Sequence, residues 1–190
     1  MTRRLTGEHR GRQVARSRED LDVYGALAAQ SSEVRAAVTT AHEALAAAGV
    51  RHVLIGGIAV AAHGLVRATV DVDFLVGEEA YRHGASGVVT FREGVPIEVG
   101  GVRVDCLGSR GEPALEAVLD HPPVSAGLPI VPVEVLVHMK LGAWRPKDRF
   151  DVHGLLEVGI DADAVEAWLA VHGNDTERAR FAKARAEVGA

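Results

Sequence analysis

Apolar positions recur along this chain in two periods, and the switches between them mark out its elements. From Glu33 to Ala48, Val34, Val38, Ala41, Leu45 and Ala48 fall near helical spacing, which predicts an amphipathic helix. Ser31 or Ser32 caps it and Gly49 ends it, as side-chain caps and left-handed glycines do. A shorter helix is expected over Leu21–Gln30. Val50–Ile55 is a continuous apolar run that closes on Gly56-Gly57 and reads as a strand, with a short helix over Ile58–His63 behind it. Val70–Val76 then alternates. Val70, Val72 and Phe74 fall on one face of a strand, and Arg67, Thr69, Asp71 and Asp73 on the other.

Beyond a helical turn at Glu78–Arg82, three segments read as short strands: Gly87–Phe91, Pro96–Val99 and Val102–Leu107. Gly94 and the pair Gly100-Gly101 punctuate them. Four further helices are expected over Glu112–Leu119, Val131–Trp144, Asp148–Val158 and Asp161–Val171, followed by a charged, lightly packed one over Thr176–Val188. The pattern is α+β: a mixed sheet flanked by helices, then a helical C-terminal part. The expected divisions are a basic tail over residues 1–20, a core over 21–130 and a helical region over 131–190.

One stretch carries chemistry. Two carboxylates on one strand face stand about 7 Å apart, from two strand rises. They repel each other and bury badly, and a divalent cation between them relieves both problems. Oxygen ligands suit Mg²⁺ or Mn²⁺ rather than zinc. Upstream, Gly56 and Gly57 open a helix. A helix N-terminus exposes unpaired N–H groups, and glycine lets a phosphate approach them. A phosphate cradle followed by a carboxylate pair supplies an anion clamp and a metal seat.

Ile55-Gly56-Gly57 and Asp71-Val72-Asp73-Phe74 resemble the signature of the polymerase-beta-like nucleotidyltransferase superfamily, with the spacer, residues 58–70, at the long end of the family's range. The wording from Leu54 to Gly64 with Arg67-Ala-Thr-Val-Asp-Val-Asp73 is similar to the AbiEii-type toxin branch. The resemblance is close over Val50–Val76 and looser to about Leu156. It implies a nucleotidyltransferase-type sheet and transfer of a nucleoside monophosphate from an NTP to a hydroxyl acceptor. Asp71 and Asp73 would be metal ligands and Asp105 the third carboxylate, with Glu98 its competitor. Gly56, Gly57, Arg67, Thr69 and Lys140 would contact nucleotide, Arg67 by supporting Asp71 or Asp73. Lys140, Lys147, Asp148 and Asp151 match a Lys-containing helix and Arg/Lys-Asp-x-x-Asp stretch of the toxin branch. On residue grounds alone, Lys140 is a snorkelling lysine, Asp148 an N-cap and Asp151 a first-turn carboxylate. A cognate antitoxin is an implied partner. The acceptor is left open between RNA, protein and small molecule. Two other readings stand beside the enzyme: a non-catalytic, antitoxin-like partner that keeps the fold, and a transferase acting on an antibiotic.

Composition narrows this further. With 190 residues and 47% apolar content, the chain can bury a full core, but only 4% is aromatic, so Ala, Val and Leu must fill it. A net charge of −5 argues against broad, non-specific nucleic-acid binding without excluding a local basic patch. Six arginines in residues 3–18 read as a disordered tail, or as an arm for RNA phosphates. The single Cys106 precludes an intramolecular disulfide and fits a reducing compartment. There is no membrane-length apolar run, and the cytoplasm is the expected location. The nine histidines do not cluster at zinc spacing. His63 closes the turn after the glycine pair or touches nucleotide.

Overall fold

A computed structural model of the chain describes residues 22–81 and 95–190. The expected tail over residues 1–20 and the expected strand Gly87–Phe91 lie outside the described residues. The fold is α+β. In chain order the helices are α1 (Val23–Ala28), α2 (Ser32–Ala47), α3 (Gly56–Ala62), α4 (Pro113–Asp120), α5 (Val133–Ala143), α6 (Pro146–Glu157), α7 (Ala162–His172) and α8 (Asp175–Val188). The strands are β1 (His52–Leu54), β2 (Asp71–Val76), β3 (Ile97–Val99), β4 (Val102–Gly108), β5 (Val124–Ser125) and β6 (Leu128–Pro129). No helix among the described residues is long and apolar enough to cross a membrane.

Four strands form a mixed sheet in the order β1-β2-β4-β3. β2 runs parallel to β4, and β1 and β3 flank them antiparallel. One face of the sheet is apolar. Leu54, Val72, Phe74, Val102 and Val104 are buried there, and α2 packs on all four strands through Val34, Val38, Ala41 and Leu45. Ser31 starts α2 by accepting the Val34 N–H at 3.3 Å, and Gly49 at φ +67° ends it. The opposite face carries Asp71, Asp73 and Asp105, with α3 packed against β2 and α1 against α3.

Helices α5 to α8 pack on one another, and the Leu54–Val131 junction ties them to the sheet. Val131 N–H donates to Leu54 O at 3.1 Å, Leu54 bridges Ile130, and the ring of His63 hydrogen-bonds Val131 O at 2.9 Å. This is why α5 starts at Val133 rather than Val131: the Val131 backbone is held by the junction and Pro132 is the N-cap. His63 closes this junction.

Three expectations need correction. Val70 is not in the strand and is 83% exposed. The segment before β2 is held instead by Gln30, whose side chain accepts the Thr69 N–H at 2.9 Å and donates to Arg67 O at 3.1 Å. The hairpin β5–β6 was not anticipated; Ala126 and Gly127 both take positive φ at its turn, as two-residue hairpins require, and only the glycine signals that in sequence. Finally, α8 is not lightly packed. Phe181 and Ala184 are buried, and Glu177 with them. Phe181→Ala is therefore expected to cost about 3–5 kcal/mol in a denaturant titration, whereas Val171→Ala, at a side chain 77% exposed, should stay within about 0.5 kcal/mol. Equal effects would contradict this account of the helical part.

Candidate active site

The site is built on the centre of the sheet. Asp73 of β2 and Asp105 of β4 are direct partners across the parallel pair, and Asp71 is the partner of Arg103. Register partners share a face, so the three carboxylates stand together. Glu98 of β3 lies opposite Arg103 and is exposed on the edge strand; it is one strand further from Asp71 and has no register contact with Asp73. The register therefore separates the two candidates for a third carboxylate and puts Asp105, not Glu98, beside the pair.

Each carboxylate has a different environment. Thr69 is buried and its hydroxyl donates to Asp71 Oδ1 at 2.6 Å. Arg103 holds both oxygens of Asp105, at 2.8 and 3.0 Å. No cation pairs directly with Asp73 among the described residues. Burial, then the charges of Asp71 and Asp105, push its carboxyl up to about 6, against the pull of Lys147 and Lys140. A carboxylate raised in this way lacks a full counter-charge. Burial likewise lifts the Cys106 thiol to about 12, with Asp105 and Asp73 adding to it, so Cys106 is inert as a nucleophile.

The glycine pair fits closely around these groups. Gly56 has φ +64°, and a Cβ there would lie 1.8 Å from Asp73 Oδ2. The start of α3 thus rests directly on the Asp73 carboxylate, and only glycine permits it. A Cβ on Gly57 would meet Thr69 Oγ1 at 2.7 Å and Arg67 Nη1 at 3.2 Å. Gly57 is accordingly required by packing within the protein, whatever else approaches it.

The expected partners of Arg67 and Lys140 are different from those observed. Arg67 does not bond Asp71 or Asp73. It forks onto Asp151, at 2.8 and 3.0 Å. Lys140 does not snorkel to water: its amine is buried, donates to Asp151 Oδ2 at 2.6 Å and lies 3.7 Å from Asp148 Oδ1. Asp151 itself is 0% exposed, in the second turn of α6 rather than the first. Asp148 is at the third position of α6 and not its N-cap; it accepts from Arg145, from that residue's backbone N–H at 3.1 Å and its Nε at 2.7 Å. Burial raises the Asp148 carboxyl, but the hydrogen bonds from Arg145 and the charge of Lys140 outweigh it and leave it lowered.

A cavity of about 700 Å³ opens beside Asp105. Its lining includes Cys106, Glu112, His138, Met139 and Glu177. The two ring nitrogens of His138 meet Glu177 at 3.1 Å and Glu112 at 2.6 Å. Sequence reasoning missed this arrangement. Its three residues come from the N-cap of α4, from α5 and from α8, and no local spacing announces them. Among the described residues, no group of three or more His, Cys, Asp or Glu side chains is placed as a metal-holding cluster.

No protein-family model matches the chain, and no curated protein is significantly similar to it.

Two outcomes follow from these environments. Asp73 binds a proton more readily folded than unfolded between its ordinary 3.8 and about 6, so its burden on stability is absent below pH 4 and grows as pH rises through that window. Asp73→Asn should then be more stable than wild type at pH 7.5, by up to about 3 kcal/mol, with the gap vanishing near pH 4. A pH-independent gap would refute the assignment. Asp151→Asn should have the opposite character, losing about 3–5 kcal/mol because Arg67 and Lys140 are left buried without their anion; a chemical-denaturation midpoint close to wild type would contradict the central role of Asp151.

Proposed function

We propose that this chain is a metal-dependent nucleotidyltransferase of the polymerase-beta-like kind, in its AbiEii-type toxin branch, moving a nucleoside monophosphate from an NTP to a hydroxyl acceptor. The observation that carries the reading is the register of Asp73 against Asp105 on adjacent parallel strands, with Asp71 on the same face and the glycine start of α3 lying on Asp73.

The ligand type suits a hard divalent cation, although among the described residues the three carboxylates do not converge as a metal-holding cluster. The donor set is all carboxylate, and Asp73 is raised by burial and then by its neighbours' charge, which a cation would reverse. Asp71 keeps one oxygen free of Thr69. Arg103 is 62% exposed, so its hold on Asp105 is weak enough to yield. Asp71, Asp73 and Asp105 would hold Mg²⁺ or Mn²⁺, which supplies Lewis-acid polarisation of the phosphoryl group and lowers the pKa of a hydroxyl. Asp105 would take the acceptor's proton; in support, it borders a cavity that an acceptor could enter. Lys140 acts from behind Asp73 rather than on the phosphates, because its amine is committed to Asp151. Lys147 is exposed and its charge is felt by Asp73; in this reading it would meet the triphosphate.

A second reading has one observation in its favour. Both oxygens of Asp105 are occupied by Arg103, as in a protein that keeps the fold as a non-catalytic partner. The two part company in one experiment. Wild type, incubated with Mg²⁺, each labelled NTP and total RNA or lysate, should transfer label and show NTP-dependent, Mg²⁺-dependent thermal stabilisation. Asp71→Asn should lower transfer by about a hundredfold or more, as loss of a major electrostatic group does. No stabilisation by any NTP, together with no label, would favour the partner and end the transferase reading.

A further inference from the structure

A second feature lies on the helical side and shares no lining residue with the 700 Å³ cavity. Helices α6 and α8 pack side by side, and a groove along them is lined by Trp144, Arg149, His153, Arg180, Lys183 and Glu187. Its volume, about 230 Å³, is below the usual range for an enclosed small-molecule pocket, roughly 300–1,000 Å³. It suits part of an elongated ligand.

The charge here runs against that of the molecule. The whole chain carries −5, yet Arg149, Arg180 and Lys183 converge on this groove against the single carboxylate of Glu187. That carboxylate is itself engaged, by His153 at 2.7 Å and by Lys183 at 3.8 Å. The Arg149 guanidinium has no hydrogen bond or ion pair among the described residues. Trp144 and Arg180 form a stacked pair, with the guanidinium carbon 5.1 Å from the ring centre. Arg180 is fixed in that pose by donating to Leu141 O at 2.6 Å. Arg145, the N-cap of α6, lies one turn before Arg149, and its charge and that of Lys147 interact with Asp73. Arg145, Lys147 and Arg149 thus cluster at the start of α6, with Arg149 lining the groove.

We propose that this groove binds the phosphodiester backbone of a single-stranded nucleic acid. Phosphates take Arg149 and Lys183, and the Trp144–Arg180 stack offers a flat surface to a base, the combination that single-strand binders use. An acidic peptide would satisfy the cations but would leave that flat surface without a use. The groove stands on its own residues; only its assignment to the acceptor strand rests on the transferase reading.

The test is fluorescence anisotropy with a labelled single-stranded RNA oligonucleotide, without NTP or Mg²⁺, over a series of salt concentrations. Affinity should fall with salt, and R149E/K183E should bind at least about tenfold more weakly, with the log–log slope reduced by about 1.4 for two lost phosphate contacts. E187Q should bind about two- to threefold more tightly. All three positions are exposed, so melting temperatures of the variants should match wild type and exclude misfolding. DNA of the same sequence should bind within about threefold and a duplex at least about tenfold more weakly. Wild-type affinity and slope in R149E/K183E would overturn the surface, as would polyglutamate displacing the RNA as well as unlabelled RNA does. A duplex that binds as tightly as the single strand would overturn the single-strand assignment. None of these results depends on NTP stabilisation, so failure here and failure of the transferase reading can be told apart.

Discussion

The molecule is held in register by one buried carboxylate. Asp151, on α6, is fully enclosed and accepts three hydrogen bonds, two from Arg67 in the loop before β2 and one from Lys140 on α5. Buried charges are expensive unless each is paired and hydrogen-bonded, so the three groups are interdependent. Their geometry fixes where the loop enters β2 and therefore where Asp71 and Asp73 start. Neighbouring packing depends on the same lock. Gly57 leaves room for Arg67 and Thr69, and Gly154, one turn below Asp151 on α6, leaves room for Leu65. A larger residue at either glycine would push on the loop that the ion cluster positions.

The same cluster explains what was legible in the sequence and what was not. Alternation placed Asp71 and Asp73 on one strand face, and the sheet bears it out. Strand pairing is a tertiary event, and the register that sets Asp73 beside Asp105 could be read only from the structure. Partner choice was the weakest inference. Arg67 is two residues from Thr69 and four from Asp71, so local spacing favoured an acidic neighbour on the strand. Its actual partner lies 84 positions away. Lys140 misled for a related reason. An amine within an apolar helix normally reaches for water, and only the arrival of α6 gives it a buried anion. The start of β2 shifted because Gln30, an unremarkable polar residue in sequence, captures the backbone on both sides of Ala68.

The electrostatics of the sheet face then divide into two kinds of carboxylate. Asp151 and Asp148 are satisfied, each by cations within the protein, and they stabilise the fold. Asp73 is not satisfied: burial and its own neighbours work against its charge. A fold that retains such a group gives up stability at neutral pH, a loss commonly found where a site must be ready for a ligand. The contrast lies along one line of contacts. Lys140 belongs fully to Asp151 and reaches Asp73 only through its field, so the helical part partly offsets the charge of the site without neutralising it.

Arg103 shows how such a face can be stable and still available. It sits between Asp71 and Glu98 in the sheet register and turns its fork onto Asp105. With the arginine side chain 62% exposed, water screens that pair, and exposed pairs contribute about 0–1 kcal/mol. Arg103 therefore lowers the repulsion between Asp105 and Asp73 cheaply, and a ligand of higher charge can displace it cheaply. A buried arginine in the same register would have locked Asp105 as firmly as Arg67 locks Asp151. The difference between a structural carboxylate and an available one is, at these two positions, the exposure of its guanidinium partner.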